Sequence, residues 1–95
     1  MIDYNNMSEL DKLEFYLKTK GIKYYREDRE KNKKALDFHQ IVVFDGDDPI
    51  WDAVCHTGSY GYEDGLLEIM GNIVKDGECV EGWLTAEDVI LRMEA

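Results

Sequence analysis

Two cysteines and two histidines, Cys55, Cys79, His39 and His56, carry the side chains that metal binding or thiol catalysis would require. Structural zinc sites draw on closely spaced ligand pairs such as Cys-x-x-Cys, and the sequence contains no such pair. Cys55 and His56 are adjacent, so in a strand their side chains would point to opposite faces and could not act as nucleophile and base. Two cysteines also lack the density of a disulfide scaffold. We therefore expect free thiols, no metal, no cofactor and no catalytic dyad.

An acidic turn at residues 45–49 places Asp45, Asp47 and Asp48 around a glycine. A calcium loop of the EF-hand type needs Asp-x-Asp-x-Asp-Gly, a glutamate at its twelfth position and flanking helices. Here the glycine follows the first aspartate, and alternating apolar residues on both sides predict strands. Because Asp-Gly is typical of a tight hairpin turn, we expect an exposed hairpin apex with solvated carboxylates.

A glycine-rich segment, residues 58–65, carries Tyr60 and Tyr62 followed by Glu63 and Asp64. Glycines allow backbone amides to turn toward an anion, but no lysine or arginine follows, and the two carboxylates would repel a phosphate. Three interpretations remain open. The segment is a tight connection whose glycines relieve steric crowding, a protein contact made through the tyrosines, or a nucleotide site.

Charge is distributed unevenly along the chain. The sequence has 11 Lys and Arg against 21 Asp and Glu, which gives a net charge of −10. Residues 1–34 have a net charge of +2, whereas residues 35–95 have a net charge of −12. An acidic body of this kind argues against direct binding to nucleic acid or to an anionic membrane, and it favours a partner protein with a basic surface.

The length and hydropathy of the chain predict a single cytoplasmic domain over residues 1–95. A chain of 95 residues with 44% hydrophobic residues can bury one core but has no room for a second. The longest uncharged apolar run, residues 41–44, is far too short to cross a membrane, and the first residues do not resemble a secretion leader.

Capping residues and periodicity predict the elements that position these groups. A stripe of leucines between a capping Ser8 and a terminating Gly21 predicts a helix over residues 8–20. Alternating apolar residues predict strands, separated by a polar loop at residues 28–34. The strands cover residues 22–27, 36–44 and 50–56.

The second half of the chain is predicted to form shorter elements. Residues 66–70 are expected to form an apolar helix that ends near Gly71. Residues 73–74 and 79–84 are expected to form a small hairpin around a turn at 75–77, and Thr85 can cap a last helix. Because helices and strands do not alternate regularly, we predict an α+β domain: an antiparallel sheet of three to five strands with about three helices packed on one face.

Two stretches resemble small uncharacterised acidic proteins encoded in prophages of Firmicutes: residues 58–68 (GSYGYEDGLLE) and 80–90 (VEGWLTAEDVI). Residues 50–55 (IWDAVC) fit the same pattern. The resemblance implies a context and no reaction. Small acidic phage proteins are frequently accessory factors, including anti-defence inhibitors of the anti-CRISPR kind, and several of these imitate nucleic-acid phosphates with carboxylates.

The charge and the resemblance together predict a non-enzymatic binding protein, acting in the bacterial cytoplasm, that occludes a basic site on a host protein such as a defence nuclease. Aromatic anchors usually dominate interface energy, while charges mainly set the encounter rate. Two alternatives are a protein that sequesters a small nucleotide near residues 58–65 and a phage assembly component with an oligomeric interface, so homo-oligomers also fit. The expected carboxylates are Asp45, Asp47, Asp48, Asp52, Glu63 and Asp64, and the expected anchors are Trp51, Tyr60 and Tyr62.

Overall fold

A five-stranded antiparallel sheet carries two α-helices on one of its faces. The computed structural model describes residues 4–29, 37–75 and 77–94. The strands lie in the order in which the chain makes them, β1-β2-β3-β4-β5. In chain order the elements are a 3₁₀ turn (Tyr4–Asn6), α1 (Glu9–Lys20), β1 (Tyr24–Arg29), β2 (Phe38–Asp45), β3 (Asp48–His56), a 3₁₀ turn (Tyr62–Asp64), β4 (Leu67–Gly71), β5 (Val80–Leu84) and α2 (Ala86–Glu94).

The predicted α+β class is confirmed, with a correction to the number of helices. The described residues contain two α-helices instead of about three. Residues 66–70, predicted as a helix, contribute β4. Leu67 and Ile69 are buried while Glu68 and Met70 lie on the other face, a period of two that suits a strand. The segment pairs with β3 and β5, and this pairing supplies backbone hydrogen bonds that a five-residue helix could not match.

Helix α1 begins and ends at the residues that the sequence indicates. The Ser8 hydroxyl accepts a hydrogen bond from the Asp11 amide at 3.1 Å, which satisfies one of the free amides of the first turn. Gly21 adopts a left-handed conformation (φ 70°) and donates its amide to the last turn. Leu10, Leu13 and Leu17 are buried against the sheet.

Helix α2 also has the predicted cap. The Thr85 hydroxyl accepts from the Asp88 amide at 3.1 Å, and an Asp88 carboxylate oxygen accepts from the Thr85 amide at 3.0 Å. This reciprocal pair satisfies two backbone donors at once. The predicted strand at residues 79–84 corresponds to β5, but residues 73–74 form a turn, and Asp76 of the predicted 75–77 turn lies outside the described residues. Most of the predicted 28–34 loop and Leu36, the first residue of the predicted second strand, also lie outside them.

The hydrophobic core lies between the two helices and one face of the sheet. Each strand sends alternate side chains to this face, and full burial of an aliphatic side chain contributes about 1.5–3 kcal/mol. No helix in the described ranges is long and apolar enough to cross a membrane. The core consists of Leu10, Leu13, Leu17, Ile41, Val43, Trp51, Ala53, Leu67, Ile69, Leu84, Ala86 and Val89.

The opposite face of the sheet, which we call the open face, is covered by neither α1 nor α2. The strand register places polar and apolar side chains beside one another there. Val54 is buried on this face, and Tyr25 and Met70 are exposed. The face consists of Tyr25, Glu27, Arg29, Phe38, Gln40, Val42, Asp52, Val54, His56, Glu68 and Met70.

A β-bulge in the β2–β3 hairpin decides which face Trp51 occupies. Phe44 pairs with Pro49, but Val43 pairs with Trp51, so Ile50 is left without a partner on β2. Since Val43 faces the helices, Trp51 does so as well, and only 5% of its surface is exposed. Trp51 is therefore a core residue.

Candidate functional site

The glycine-rich segment after β3 is held closely against β5. A Cβ built on Gly82 would lie 2.2 Å from the Tyr60 Cβ, so only glycine fits at that position. The Trp83 amide donates to the Tyr60 carbonyl at 3.3 Å. At the start of the loop the buried Ser59 hydroxyl accepts from the His56 amide at 3.0 Å and donates to the His56 carbonyl at 2.9 Å. The loop is therefore held at its start by the Ser59 hydroxyl on the His56 backbone and at Tyr60 by the close approach of β5.

Two aromatic side chains stack on the outside of this junction, and we call Tyr60 and Trp83 the aromatic platform. Their ring centroids are 5.0 Å apart at an interplanar angle of 25°. Tyr60 is 51% and Trp83 60% exposed. Trp83 has φ 55°, and in the described ranges it is the one residue other than glycine with positive φ. A bulky residue rarely adopts this conformation, and such strain is concentrated at functional sites.

Carboxylates border the aromatic platform. Glu63 and Asp64 are exposed in the 3₁₀ turn that follows Tyr60. With the platform they line a depression of about 430 Å³ whose described lining contains no lysine, arginine or histidine. A cation would therefore find aromatic faces and two negative charges at one place. The full lining is Thr57, Gly58, Ser59, Tyr60, Gly61, Tyr62, Glu63, Asp64 and Trp83.

Tyr62, the other tyrosine of the loop, is half-buried and has a structural partner. Its hydroxyl donates to an Asp37 carboxylate oxygen at 2.9 Å, and this hydrogen bond raises the pKa of the Tyr62 phenol. The contact ties the loop to the residue just before β2. Tyr62 thus positions the loop, while Tyr60 presents the exposed ring.

The predicted carboxylates do not form one surface. Asp45, Asp47 and Asp48 are exposed around the β2–β3 turn, at the opposite end of β3 from the platform. At about 3.4 Å per residue, the nine residues of β3 separate its two ends by roughly 27 Å. Asp52 lies between these ends on the open face, where it accepts from the Gln40 side-chain amide at 2.7 Å.

The expectation that Trp51 is a binding anchor is wrong. The bulge described above turns its ring into the core, and with 5% of its surface exposed Trp51 offers a partner too little area to serve as an anchor. The exposed tryptophan is Trp83, which the sequence reasoning did not single out. The pattern in the sequence that could have drawn attention to it is Gly82-Trp83 within a short predicted strand. A glycine inside a strand often marks a bulge or a close approach of another backbone segment, and the residue beside it can then be turned outward.

A second polar cluster lies on the helix side of the sheet, around His39. His39 pairs across the strands with Cys55, so the histidine beside this thiol is His39 and not the adjacent His56. The His39 ring lies within hydrogen-bonding distance of Asp28 (Nδ1–Oδ1 2.7 Å) and Asp37 (Nε2–Oδ1 3.0 Å). Partial burial opposes protonation of the ring, but the two carboxylates outweigh it, and the pKa of His39 is raised.

This cluster does not have the properties of a catalytic dyad. Both ring nitrogens of His39 face carboxylates, so neither is left to take a proton from Cys55. Burial, reinforced by the charge of Asp37, raises the pKa of the Cys55 thiol, which keeps it protonated. In the ranges 4–29, 37–75 and 77–94, no group of three or more His, Cys, Asp and Glu residues is placed to hold a metal ion.

Arg26 extends the same cluster toward α1. Its guanidinium contacts Asp11 at 2.7 Å, Glu14 at 3.1 Å and Asp28 at 3.0 Å. Burial works against the charged form, but hydrogen bonds to Asp11 and Asp28 prevail and the pKa of Arg26 is raised. These groups border a depression of about 500 Å³. Arg26 and His39 are already paired with carboxylates there, so we interpret the cluster as polar contacts that hold α1 against the sheet.

No family model matches the chain, and no match is found among curated proteins or among solved structures. A function has to be inferred from the residues of the site.

Proposed function

We propose that this protein is a non-enzymatic, phage-type binding protein that occupies a basic, nucleic-acid-binding surface of a bacterial host protein. The aromatic platform serves as the anchor, and Glu63 and Asp64 take the place of nucleic-acid phosphates. A defence nuclease in the host cytoplasm is the target that best fits the resemblance of residues 58–68 and 80–90 to prophage proteins.

The observation that carries this proposal is the exposed stack of Tyr60 and Trp83, held in place by a strained backbone. Large aromatic side chains dominate interface energy when a partner covers them. A fixed pair loses little conformational entropy on binding, because the glycine contacts already determine its position. A solvated connecting loop would need neither the positive φ of Trp83 nor two exposed rings.

The charge of the site supports a basic partner over a nucleotide. A nucleotide could stack its base on Tyr60 or Trp83, but its phosphates would then lie beside Glu63 and Asp64. The described lining of the depression offers no cation to offset that repulsion. The same carboxylates attract lysine and arginine side chains and increase the rate of encounter with a basic surface.

The partner is captured from a bacterial host lysate at low salt, and the binding kinetics are then measured at physiological ionic strength and above. One variant combines Glu63→Gln with Asp64→Asn, and its matched control combines Asp47→Asn with Asp48→Asn. Both remove two charges, but only the first pair borders the platform. At physiological ionic strength charges are screened beyond about 8 Å, so the distant pair should have little influence on association.

We expect the Glu63/Asp64 variant to associate more slowly and with a weaker salt dependence than the wild type, while the control stays close to the wild type. Trp83→Ala should chiefly accelerate dissociation. The captured partner should also lose nucleic-acid binding when this protein is added. Equal slowing by both charge pairs would mean that only net charge matters. The proposal would be contradicted if both charge variants associated as fast as the wild type. It would also be contradicted if the lysate yielded no partner whose binding is weakened by salt.

A further inference from the structure

We propose that the aromatic platform recognises an arginine side chain of the partner, which stacks its guanidinium on the Tyr60–Trp83 pair and engages Glu63 or Asp64. This inference rests on the proposed function and names the chemistry that the platform selects. Arginine and lysine have the same charge, so the distinction depends on the shape of the site.

The same molecule contains one complete arrangement of this kind on its open face. Phe38 and His56 stack with ring centroids 5.4 Å apart and an interplanar angle of 10°. The Arg29 guanidinium lies over Phe38, 4.3 Å from the ring centroid. Arg29 also contacts a Glu27 carboxylate oxygen at 2.8 Å. The arrangement consists of a stacked aromatic pair, a flat cation on its outer face and a flanking carboxylate.

The aromatic platform provides two of these three components. Tyr60 and Trp83 form a stacked pair, and Glu63 and Asp64 border the same depression. Among the described residues no cation lies over either ring, whereas four other aromatic rings each have one. The component that the platform lacks is the cation.

The geometry of the stack favours a guanidinium over an ammonium. Because the two rings already fill the space between them, they cannot enclose a compact cation on several sides. Only the outer ring faces remain, and a planar guanidinium can stack on such a face while its edge donates to a carboxylate. Among the described residues, lysine ammonium groups lie 5.2, 5.7 and 5.8 Å from the centroids of rings that are not stacked on another ring, against 4.3 Å for Arg29 on a stacked pair. The first of these rings, Tyr4, meets Phe15 edge-on.

The test uses acetylated, amidated tetrapeptides of arginine, lysine and citrulline, titrated at low salt into the full chain. Citrulline keeps the shape of arginine but has no charge. The indole Nε1–H signal of Trp83 in a two-dimensional NMR spectrum reports occupancy of the platform, and that of the buried Trp51 serves as an internal reference. In the Trp83→Leu variant, the backbone amide signals of residues 60–64, which line the same depression, report binding instead. Trp83→Leu removes one aromatic face and keeps an apolar side chain, and Glu63→Gln with Asp64→Asn removes the flanking charges.

We expect the arginine peptide to shift the Trp83 signal and to bind roughly two- to fivefold more tightly than the lysine peptide, which corresponds to one exposed cation–π contact. Citrulline should not bind. Trp83→Leu should equalise the arginine and lysine peptides, while the charge variant should weaken both. Equal affinity of the two peptides, or a preference that persists in Trp83→Leu, would overturn the arginine inference and leave the proposed function standing. Failure of both peptides to move the Trp83 signal at millimolar concentration would count against the proposed function as well.

Discussion

Gly82→Ala tests whether the loop that carries Tyr60 is fixed against β5. The added methyl carbon would lie 2.2 Å from the Tyr60 Cβ and 3.2 Å from the Tyr60 carbonyl oxygen, whereas ordinary contacts are 3.4–4 Å. The loop and the strand would have to separate by about 1.2 Å to restore contact distance. That movement works against the Trp83 amide to Tyr60 carbonyl hydrogen bond, which already spans 3.3 Å.

The expected loss of stability follows from two opposing effects. Overpacking of this kind costs about 1–3 kcal/mol. The φ of Gly82 is not in the left-handed region, so alanine can adopt its backbone conformation, and a strand residue gains about 0.5–1 kcal/mol when alanine replaces glycine. Because a 2.2 Å approach is a severe overlap, the overpacking cost should be about 2–3 kcal/mol, and the net effect should be a loss of about 1–2.5 kcal/mol in the free energy of unfolding.

Urea denaturation with thermal melting measures this loss, and each kcal/mol should lower the melting temperature by about 4–8 °C in a domain of this size. The matched control repeats Gly82→Ala in a Tyr60→Gly background, where the clashing carbon is absent. There the substitution should be neutral or slightly stabilising, and the difference between the two backgrounds measures the coupling. An unchanged melting temperature of Gly82→Ala in the wild-type background would refute the contact between the loop and β5.

Three further predictions concern the helix cap, the histidine cluster and the core. Thr85→Ala should lower the free energy of unfolding by about 1 kcal/mol in urea titrations, because it removes the α2 cap, whereas Thr85→Ser should retain most of it. The raised pKa of His39, beside Asp28 and Asp37, gives stability that is fully present below the unfolded-state pKa near 6.5 and is lost as pH rises through the folded-state pKa. Urea midpoints measured at several pH values should show this loss in the wild type and not in His39→Gln, and parallel pH profiles would contradict it. Trp51→Ala should cost about 3–5 kcal/mol because it opens a cavity in the core, and a melting temperature near that of the wild type would mean that the ring is not buried.

Local signals in the sequence were sufficient for the helix ends. Ser8 and Gly21 act on neighbouring backbone groups, so their effect does not depend on the rest of the fold. Thr85 belongs to the same class. For these elements the chemistry that determines the structure lies within four residues of the position concerned.

Residues 66–70 were predicted incorrectly because their structure is decided by strands elsewhere in the chain. Four of the five residues are apolar, which fits a buried helix or a strand equally well. Pairing with β3 and β5 selects the strand, and none of that information lies in the segment itself.

The candidate site depends in the same way on register. A two-residue turn without a bulge would pair Trp51 with Val42 and place it on the open face. The bulge at Ile50 instead pairs it with Val43 and buries it. The stacking of Tyr60 on Trp83 joins two segments separated by 22 intervening residues, and only the pairing of β4 with β5 brings them together.

The chain-order arrangement of the strands has a consequence for how the protein folds. Each strand pairs only with the strand before or after it, so every strand pairing closes a comparatively short loop and can form by extension of a hairpin. The packing of α1 is different, since the Ala86 amide donates to a Glu9 carboxylate oxygen at 2.8 Å across 77 positions of the chain. Because contacts between the two helices close the longest loop, we expect the helices to close over the sheet late in folding, after the hairpin that carries β3 has brought Trp51 to the face that α1 covers.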